Sequence, residues 1–265
     1  MTARHTLLEQ LSALRLNAMA RAFEEQLSSS EIEQLSFEER LGLLLDRENT
    51  DRAQRRYSQR LRKAKLRFPQ AAIEALELDS SRGLDRSQVL DLASCRFIDQ
   101  HRNVLITGKT GVGKTFLACA LGQQACREGY SVLYRRLPQL FRELTIARGD
   151  GSYGLLLQRI TRTQLLILDD WALHALGEAE RRDLYEIFED RHGLCSTVVI
   201  SQLAKGDWYD AIGDPTLADS IVDRLFSSAY TFALKGESRR RGPATAADDT
   251  TARKRGSQRP QDRRS

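Results

Sequence analysis

The sequence predicts an α/β fold in which a parallel β-sheet is flanked by helices. Two observations support this prediction. A glycine-rich loop, Gly108-Lys109-Thr110-Gly111-Val112-Gly113-Lys114-Thr115, follows a short apolar run and precedes a stretch of helix formers that opens with Phe116. Downstream of it, apolar strand-like runs alternate with helical patterns, which is typical of βαβ units and of a parallel sheet covered on both faces.

The N-terminal region has helical rather than strand-like patterns. Leu7, Leu11 and Leu14 recur at helical spacing, and Ser36 followed by Glu39 has the spacing of a capping box. We therefore predict one or two helices over 5–27 and a further helix that begins at Ser36 and ends near Glu48. A small all-helical domain over 1–68 follows from these patterns.

A basic segment comes next, and its cations have no acidic residue among them. We predict a separate helix here, with one face on protein and the other exposed, interrupted at Pro69. Its basic residues are Arg52, Arg55, Arg56, Arg60, Arg62, Lys63, Lys65 and Arg67.

Residues 69–237 carry the alternating patterns of the predicted sheet domain. Before its first strand, we predict a short helix or helical turn over 71–78 and a helix capped by Asp85. The predicted strands are 103–107, 130–135, 164–169, 196–201 and 230–234. Between them we predict helices over 114–127 and 178–192, and helical residues over 138–161.

Residues 238–265 form a basic C-terminal tail that we predict to be disordered. They hold nine Lys or Arg, three Asp and no large apolar side chain, so they cannot bury enough surface to fold alone. The tail thus has a net charge of +6, and residues 1–237 bring the whole chain to its formal net charge of +5.

Composition bounds the class of protein. A chain of 265 residues accommodates one sizeable core with a smaller appendage. Cysteines 95, 119, 126 and 195 lack metal-ligand spacing and are expected to be reduced thiols. No apolar signal segment or long apolar span is visible, so we expect a cytoplasmic protein that contacts no membrane.

The glycine-rich loop has the pattern of an ATP-binding phosphate loop. Glycines 108, 111 and 113 allow backbone N–H groups to converge on a polyanion, and the following helix adds positive potential. Lys114 then reaches the β- and γ-phosphates, and Thr115 is a ligand for Mg²⁺. A plain connecting turn would explain the glycines but not the Lys-Thr pair.

Two other predicted strands end in polar side chains that would complete this site. The strand over 164–169 ends in Asp169 and Asp170, which we assign to the metal and to the attacking water. On its own this pair could be a capping turn. The strand over 196–201, which should lie between the strands of the loop and the carboxylates, ends in Ser201 and Gln202. These can sense the γ-phosphate or form a simple turn.

Several segments together resemble the IstB-type transposition helper ATPases, which are AAA+ proteins encoded by bacterial insertion sequences and related to the DnaC helicase loaders. They are residues 14–19, 61–67, 85–148, 165–171, 214–225 and 234–241. The resemblance implies a P-loop AAA+ fold and a homo-oligomer with ATP between subunits. In such an assembly Arg224 would reach the γ-phosphate of a neighbour.

The resemblance also implies duplex DNA and a transposase encoded by the same element as partners. Two departures from the family stand in the carboxylate motif: Asp170 where many AAA+ proteins have Glu, and Ala172 where the family usually has Gly. The shorter carboxylate puts the rate of hydrolysis in question.

Basic residues mark three candidate DNA surfaces, because phosphate contacts come mainly from Lys and Arg. The first is the basic segment over 52–67, which could instead be a solvated helix face. The second comprises Arg135, Arg136, Arg142 and Arg148, and the third is the tail.

Four functions follow from these features. The first is an ATPase that oligomerises on duplex DNA, remodels it and recruits or activates a transposase. The second is a replicative helicase loader of the DnaC type, and the third is a nucleotide-gated DNA adaptor with negligible turnover. The fourth, a small-molecule P-loop kinase, is disfavoured by the basic segment and by the Asp-Asp pair.

Overall fold

A parallel sheet organises the chain in a computed structural model that describes residues 3–29, 32 and 34–238. Within these residues the sheet has five strands in the spatial order β2-β3-β4-β1-β5, and each neighbouring pair is parallel. The predicted fold class is therefore confirmed. The strands are β1 (Val104–Gly108), β2 (Val132–Arg136), β3 (Leu165–Trp171), β4 (Ser196–Ser201) and β5 (Tyr230–Leu234).

Helices precede the sheet and cover both of its faces. Short 3₁₀ turns at Ile73–Ala75, Ser80–Arg82 and Lys205–Asp207 connect some of them. The helices are α1 (Ala3–Ala13), α2 (Asn17–Leu27), α3 (Phe37–Ala64), α4 (Arg86–Ala93), α5 (Arg96–Asp99), α6 (Lys114–Glu128), α7 (Leu137–Asp150), α8 (Tyr153–Thr161), α9 (Glu178–Arg191), α10 (Trp208–Ile212) and α11 (Pro215–Phe226).

The strands are apolar on both faces because each face is covered by helices. Val104 and Ile106 of β1 belong to a core shared with α4 and α6, whereas Leu105 between them belongs to a second core with α7, α9 and α11. Successive strand residues point to opposite faces, so a continuous apolar run serves two cores. The sheet is thereby held rigidly, with the ends of its strands in fixed positions.

Helix α3 differs from the prediction in its length. Its predicted start is confirmed, since Ser36 and Glu39 form both bonds of a capping box. The predicted separate basic helix is wrong, because α3 continues without a break through the basic segment to Ala64. Its end is set by Lys65, which adopts a left-handed conformation with φ 53°, before the chain reaches Pro69.

Glu48 joins the N-terminal helices to α3. Its buried carboxylate accepts the backbone N–H groups of Ala18 and Met19, both at 3.0 Å, at the start of α2. It also accepts a bond from Arg52 at 2.7 Å. Burial alone would raise the pKa of Glu48, but these hydrogen bonds outweigh it and hold the pKa below its usual value.

The C-terminal half of α3 packs directly on the sheet domain. Ala64 lies in the core of α4 and α6, the Gln123 amide donates to the Tyr57 hydroxyl at 2.7 Å, and the Arg60 Nε donates to the Cys126 carbonyl at 2.8 Å. The predicted domain boundary near residue 68 remains a prediction. The predicted disordered tail lies outside the described residues from 239 onwards.

The described cysteines behave as core thiols. Burial raises the pKa of Cys95 to about 12 and the pKa values of Cys119 and Cys126 to about 11. Cys195 is half-buried, and none of the four is in a disulfide. In the part of the chain that the structure describes, no helix is both long and apolar enough to cross a bilayer.

Candidate nucleotide-binding site

The phosphate loop connects β1 to α6 at the carboxyl edge of the sheet, by which we mean the side where the parallel strands end. Gly111 and Gly113 have φ values of 89° and 104°, a backbone conformation that residues with a Cβ rarely adopt. Space is also restricted at Gly111, because a Cβ there would lie 2.1 Å from the Ser238 Oγ. Glycine at position 111 is thus required both by the backbone conformation and by the C-terminal segment packed against it.

Lys114 lies at the centre of the loop. Its side chain is largely buried, with 8% of the residue exposed, and its ammonium donates to the carbonyls of Gly108 at 2.6 Å and Lys109 at 2.8 Å. A buried cation held by backbone dipoles is well suited to a phosphate ligand, because a polyanion compensates its charge more strongly than carbonyls do.

Asp169 and Thr115 are in direct contact beside the loop. The Thr115 hydroxyl donates to Asp169 Oδ2 at 2.9 Å, and Asp169 is 2% exposed. Mg²⁺ prefers oxygen ligands and is usually held by one or two carboxylates together with substrate phosphates. These two side chains therefore fit a magnesium ion at the predicted position.

Tyr134 is a member of the site that the sequence did not predict. Its hydroxyl donates to Asp169 Oδ2 at 2.8 Å from the neighbouring strand β2. Burial, and then the adjacent Asp169 carboxylate, raise the pKa of Tyr134, so the phenol stays a hydrogen-bond donor. It orients the carboxylate next to Thr115.

Asp170 lies on a β-bulge at the end of β3. The register of β3 against β4 shifts between Leu168 and Trp171, and Asp170 takes a φ of 61°. Bulges commonly re-aim side chains next to active sites. Here Asp170 Oδ2 accepts a bond from Arg136 Nε of β2 at 2.5 Å, and Asp170 lines the same cavity as Asp169.

Ala172, one of the two departures noted in the sequence, follows this bulge in a left-handed backbone conformation. Ala172 has a φ of 56° and is buried. Glycine adopts this conformation without the steric cost that a Cβ imposes, so glycine is the less strained residue at this position.

Strand β4 lies between β1 and β3, as predicted, and brings Ser201 and Gln202 to the site. The Ser201 hydroxyl is buried, donates to the Trp171 carbonyl at 3.3 Å and accepts the Leu203 N–H at 3.0 Å. Gln202 is exposed and accepts a bond from the Thr110 hydroxyl at 2.7 Å. Of this pair, Gln202 contacts the phosphate loop directly.

A cavity of about 330 Å³ extends from the phosphate loop to a partly apolar wall. Phe68, Leu76 and Leu84 contribute to this wall, and Phe116 packs against Phe68 with ring centroids 6.1 Å apart. An apolar wall beside a phosphate site fits the base of a nucleotide. No motif over 68–84 marked this wall in the sequence.

Arg224 lies at the opposite edge of the sheet, where the strands begin. Its backbone carbonyl accepts the side-chain amide of Asn103, which precedes β1, at 3.1 Å. Asn103 is five positions before Gly108 along an extended strand, which places the two residues about 16 Å apart at the usual rise of a strand. The Arg224 guanidinium donates to the Ser220 carbonyl, pairs with Glu189 and lies over the Tyr185 ring.

The basic face of α3 is partly neutralised by acids of the preceding turn. Arg52 pairs with Glu48 and Arg55 pairs with Asp51, each one helical turn apart. The charges of these two arginines are therefore compensated. Arg60 is committed to the Cys126 carbonyl, and Arg67 lies over the Phe68 ring and lines the cavity. Exposed cations with no described partner are Arg56, Arg62, Lys63 and Lys65.

The second predicted DNA surface does not form a continuous basic patch. Arg135 is buried and pairs with Glu143 at 2.9 Å, which excludes its guanidinium from the surface. Arg136 bonds Asp170, and Arg148 pairs with Asp183 and stacks on Tyr153. Arg142 is exposed and has no partner among the described residues. Charge alone did not separate these roles.

Known proteins that are similar to this chain are described as ATP-binding proteins. The family described as IstB-like ATP binding protein matches residues 9–247. A putative insertion sequence ATP-binding protein, y4pL, from Sinorhizobium fredii strain NGR234 is 51% identical over 237 residues, which cover 89% of this chain and 96% of that protein. The putative ATP-binding protein of insertion sequence IS1162 from Pseudomonas fluorescens is 51% identical over 77% of this chain and 87% of its own.

Among solved structures, the DnaC helicase loader has a similar fold. It superposes with a TM-score of 0.56 at 18% identity, over 64% of this chain and 99% of its own. At this level of identity the likeness concerns the fold alone, a parallel sheet flanked by helices.

Proposed function

This chain belongs to the IstB-like ATP-binding protein family, and from that premise we propose that it is an ATP-dependent helper of DNA transposition. In this proposal it oligomerises on duplex DNA, remodels the DNA, and recruits or activates the transposase of its insertion sequence. The names of its relatives, which are insertion sequence ATP-binding proteins, support the link to transposition.

The observation that carries the proposal is the contact between Thr115 and Asp169 beside the phosphate loop. The loop binds the phosphates, and Lys114 supplies positive charge to them. Mg²⁺, when bound, would neutralise charge that develops on the β- and γ-phosphates. The pair formed by Thr115 and Asp169 would hold that ion.

Asp170 is proposed to orient the attacking water. Its carboxylate is bonded to Arg136 at 2.5 Å, so it must leave that partner, or share it, before it can accept a proton from water. A shorter side chain than Glu, combined with this ion pair, favours slow hydrolysis. That suits a protein whose ATP state controls assembly rather than rapid turnover.

Arg224 is proposed to act on the nucleotide of a neighbouring subunit. Its position at the edge of the sheet opposite the phosphate loop argues against action on its own nucleotide. The Arg224–Glu189 pair is partly exposed, with 47% of the Glu189 side chain accessible, so a phosphate could compete for the guanidinium at small cost. Hydrolysis would then require a homo-oligomer with ATP at its interfaces.

DNA binding is proposed to involve the exposed cations of α3, namely Arg56, Arg62, Lys63 and Lys65, together with Arg142. Contacts of this type are made to phosphates, carry little sequence information and weaken as salt rises. Those five side chains are exposed and have no acidic partner among the described residues.

The experiment measures binding to a duplex with and without ATP across a salt series, for the wild type and for Lys114→Ala. We expect ATP to promote assembly on DNA, affinity to fall steeply between about 50 and 200 mM salt, and Lys114→Ala to lose only the ATP-dependent part. Binding that is insensitive to both ATP and salt would contradict the proposal.

A pull-down distinguishes the transposition helper from the helicase loader. The DNA-bound ATP form is offered the transposase of the same element and, separately, the replicative helicase. Retention of the transposase is expected. Retention of the helicase alone would favour the loader, whose fold this chain shares.

A further inference from the structure

Arg82 lies where three parts of the chain meet. Its guanidinium donates to the Val112 carbonyl of the phosphate loop at 3.1 Å, and its own carbonyl accepts the Lys235 N–H at 2.9 Å. Its Nε is also close to Gly236, where an added Cβ would lie 3.3 Å away. Arg82 thus connects the segment before β1, the phosphate loop and the segment after β5.

The backbone around Arg82 is fixed. Asp79 accepts the Ser81 N–H at 2.8 Å, and Gly83 follows with a φ of 79°. Gly83 is also tightly packed, because a Cβ there would lie 2.2 Å from the Ala233 carbonyl oxygen. Leu84 is buried in the core and lines the cavity. Groups that must bind a ligand accurately are usually held on such rigid supports.

The two described acidic neighbours of Arg82, Glu77 and Asp79, are both exposed, so they compensate its charge only weakly. Its side chain is 18% exposed and lines the nucleotide cavity, and the nearest Glu77 oxygen is 3.8 Å from Nη1. The Glu77 side chain is 75% exposed, and an ion pair of this length at the surface contributes little. A largely buried guanidinium in this setting favours an anionic ligand in the cavity.

We propose that Arg82 is a nucleotide-binding residue, which rests on the ATP site of the proposed function. Its guanidinium fixes the phosphate loop through Val112 and supplies a second cation, besides Lys114, to the phosphate oxygens of a nucleoside di- or triphosphate. Arg82 lies between Val112 and Glu77 on the cavity wall, so a nucleotide that extends from the phosphate loop to the apolar wall would lie beside it.

The experiment compares Arg82→Ala, Arg82→Lys and the matched control Arg86→Ala, in the full chain without DNA or transposase. Arg86 is an exposed arginine in the first turn of α4 that does not line the nucleotide cavity. Equilibrium binding of a fluorescent ATP analogue and of adenosine is measured for each protein, together with the melting temperature without nucleotide.

We expect Arg82→Ala to weaken binding of the triphosphate about tenfold, the usual scale for losing a charge-assisted hydrogen bond. The ratio of triphosphate to adenosine affinity should fall with it, Arg82→Lys should recover part of the loss, and Arg86→Ala should match the wild type. A purely structural residue would lower the melting temperature without changing that ratio.

Two results would overturn the inference: triphosphate affinity of Arg82→Ala within about twofold of wild type, or equal losses for triphosphate and adenosine. Failure of the wild type itself to bind the analogue would instead refute the proposed function. The two failures are therefore distinguishable.

Discussion

The two edges of the sheet differ in how their polar groups are held. At the carboxyl edge Lys114, Thr115 and Asp169 are bonded to one another or to the loop backbone, and Lys114 and Asp169 are buried. At the opposite edge, Arg224 is held by the partly exposed carboxylate of Glu189 and the ring of Tyr185. One edge is organised to receive a ligand, whereas the other presents a cation that a ligand from outside the subunit could capture.

This difference suggests that each subunit carries two unlike halves of a catalytic site. Nucleotide binding should depend on the carboxyl edge alone, and hydrolysis should depend on both edges. The following predictions separate these dependences, beginning with the largest expected effect.

Arg224→Ala should reduce ATP hydrolysis by about 10³-fold or more, because an arginine acting in trans neutralises charge in the transition state. Affinity for ATP should stay within about threefold of wild type, since the nucleotide cavity lies at the other edge of the sheet. Hydrolysis is measured by phosphate release at saturating ATP. Arg181→Ala is the control, because Arg181 lies on α9, the helix that carries Glu189, but donates to the Ile212 carbonyl. Equal losses in the two variants would contradict a specific role for Arg224.

Asp170→Asn should lower hydrolysis by about 10²-fold, the lower range for removal of a general base, and should leave ATP affinity nearly unchanged. The substitution preserves the shape of the side chain and removes the charge that pairs with Arg136. Single-turnover hydrolysis separates this step from assembly. Unchanged hydrolysis would contradict the role of Asp170. DNA assembly that is intact although hydrolysis is lost would favour the nucleotide-gated adaptor over an ATPase.

Gly111→Ala should weaken nucleotide affinity about tenfold, because it combines a strained positive φ with a clash against Ser238. Gly129→Ala is the matched control. Its φ is 106°, but no atom lies within 4 Å of the added Cβ, and it is at the far end of α6. Gly129→Ala should lower the melting temperature but keep the nucleotide affinity of the wild type. Equal losses of nucleotide affinity in the two variants would contradict a specific requirement for glycine at position 111.

Arg62→Ala on α3 should have the smallest effect, on DNA binding alone. Its guanidinium is exposed and has no described partner, so its loss should lower the slope of log affinity against log salt by about 0.9. Arg52→Ala, on the same helix, should change the slope less because Glu48 already compensates Arg52. Equal slopes for Arg62→Ala and the wild type would remove Arg62 from the DNA surface.

The sequence predicted those parts of the fold and site that depend on local patterns. The phosphate loop, the strands and the position of β4 between β1 and β3 follow from spacing and from the alternation of strands and helices. Tyr134 was missed because its bond to Asp169 joins two strands 35 residues apart, and no motif marks a tyrosine there.

Arginines were the least predictable residues for a related reason. Arg135, Arg136 and Arg142 look alike in sequence, yet Arg135 is buried against Glu143, Arg136 binds Asp170, and Arg142 is exposed. Their environments are set by the pairing of β2 with β3 and by the position of α7. The continuity of α3 was also missed, because the bonds from Arg52 to Glu48 and from Arg55 to Asp51 stabilise the helix across the predicted break.

The most direct test of a site divided between subunits is a mixing experiment. Lys114→Ala retains Arg224 but lacks its own ATP site, and Arg224→Ala retains the ATP site but lacks the arginine. The account predicts that each variant alone is inactive in ATP hydrolysis and that an equal mixture on duplex DNA recovers a substantial part of the wild-type rate. A mixture no more active than the sum of its two components would contradict it.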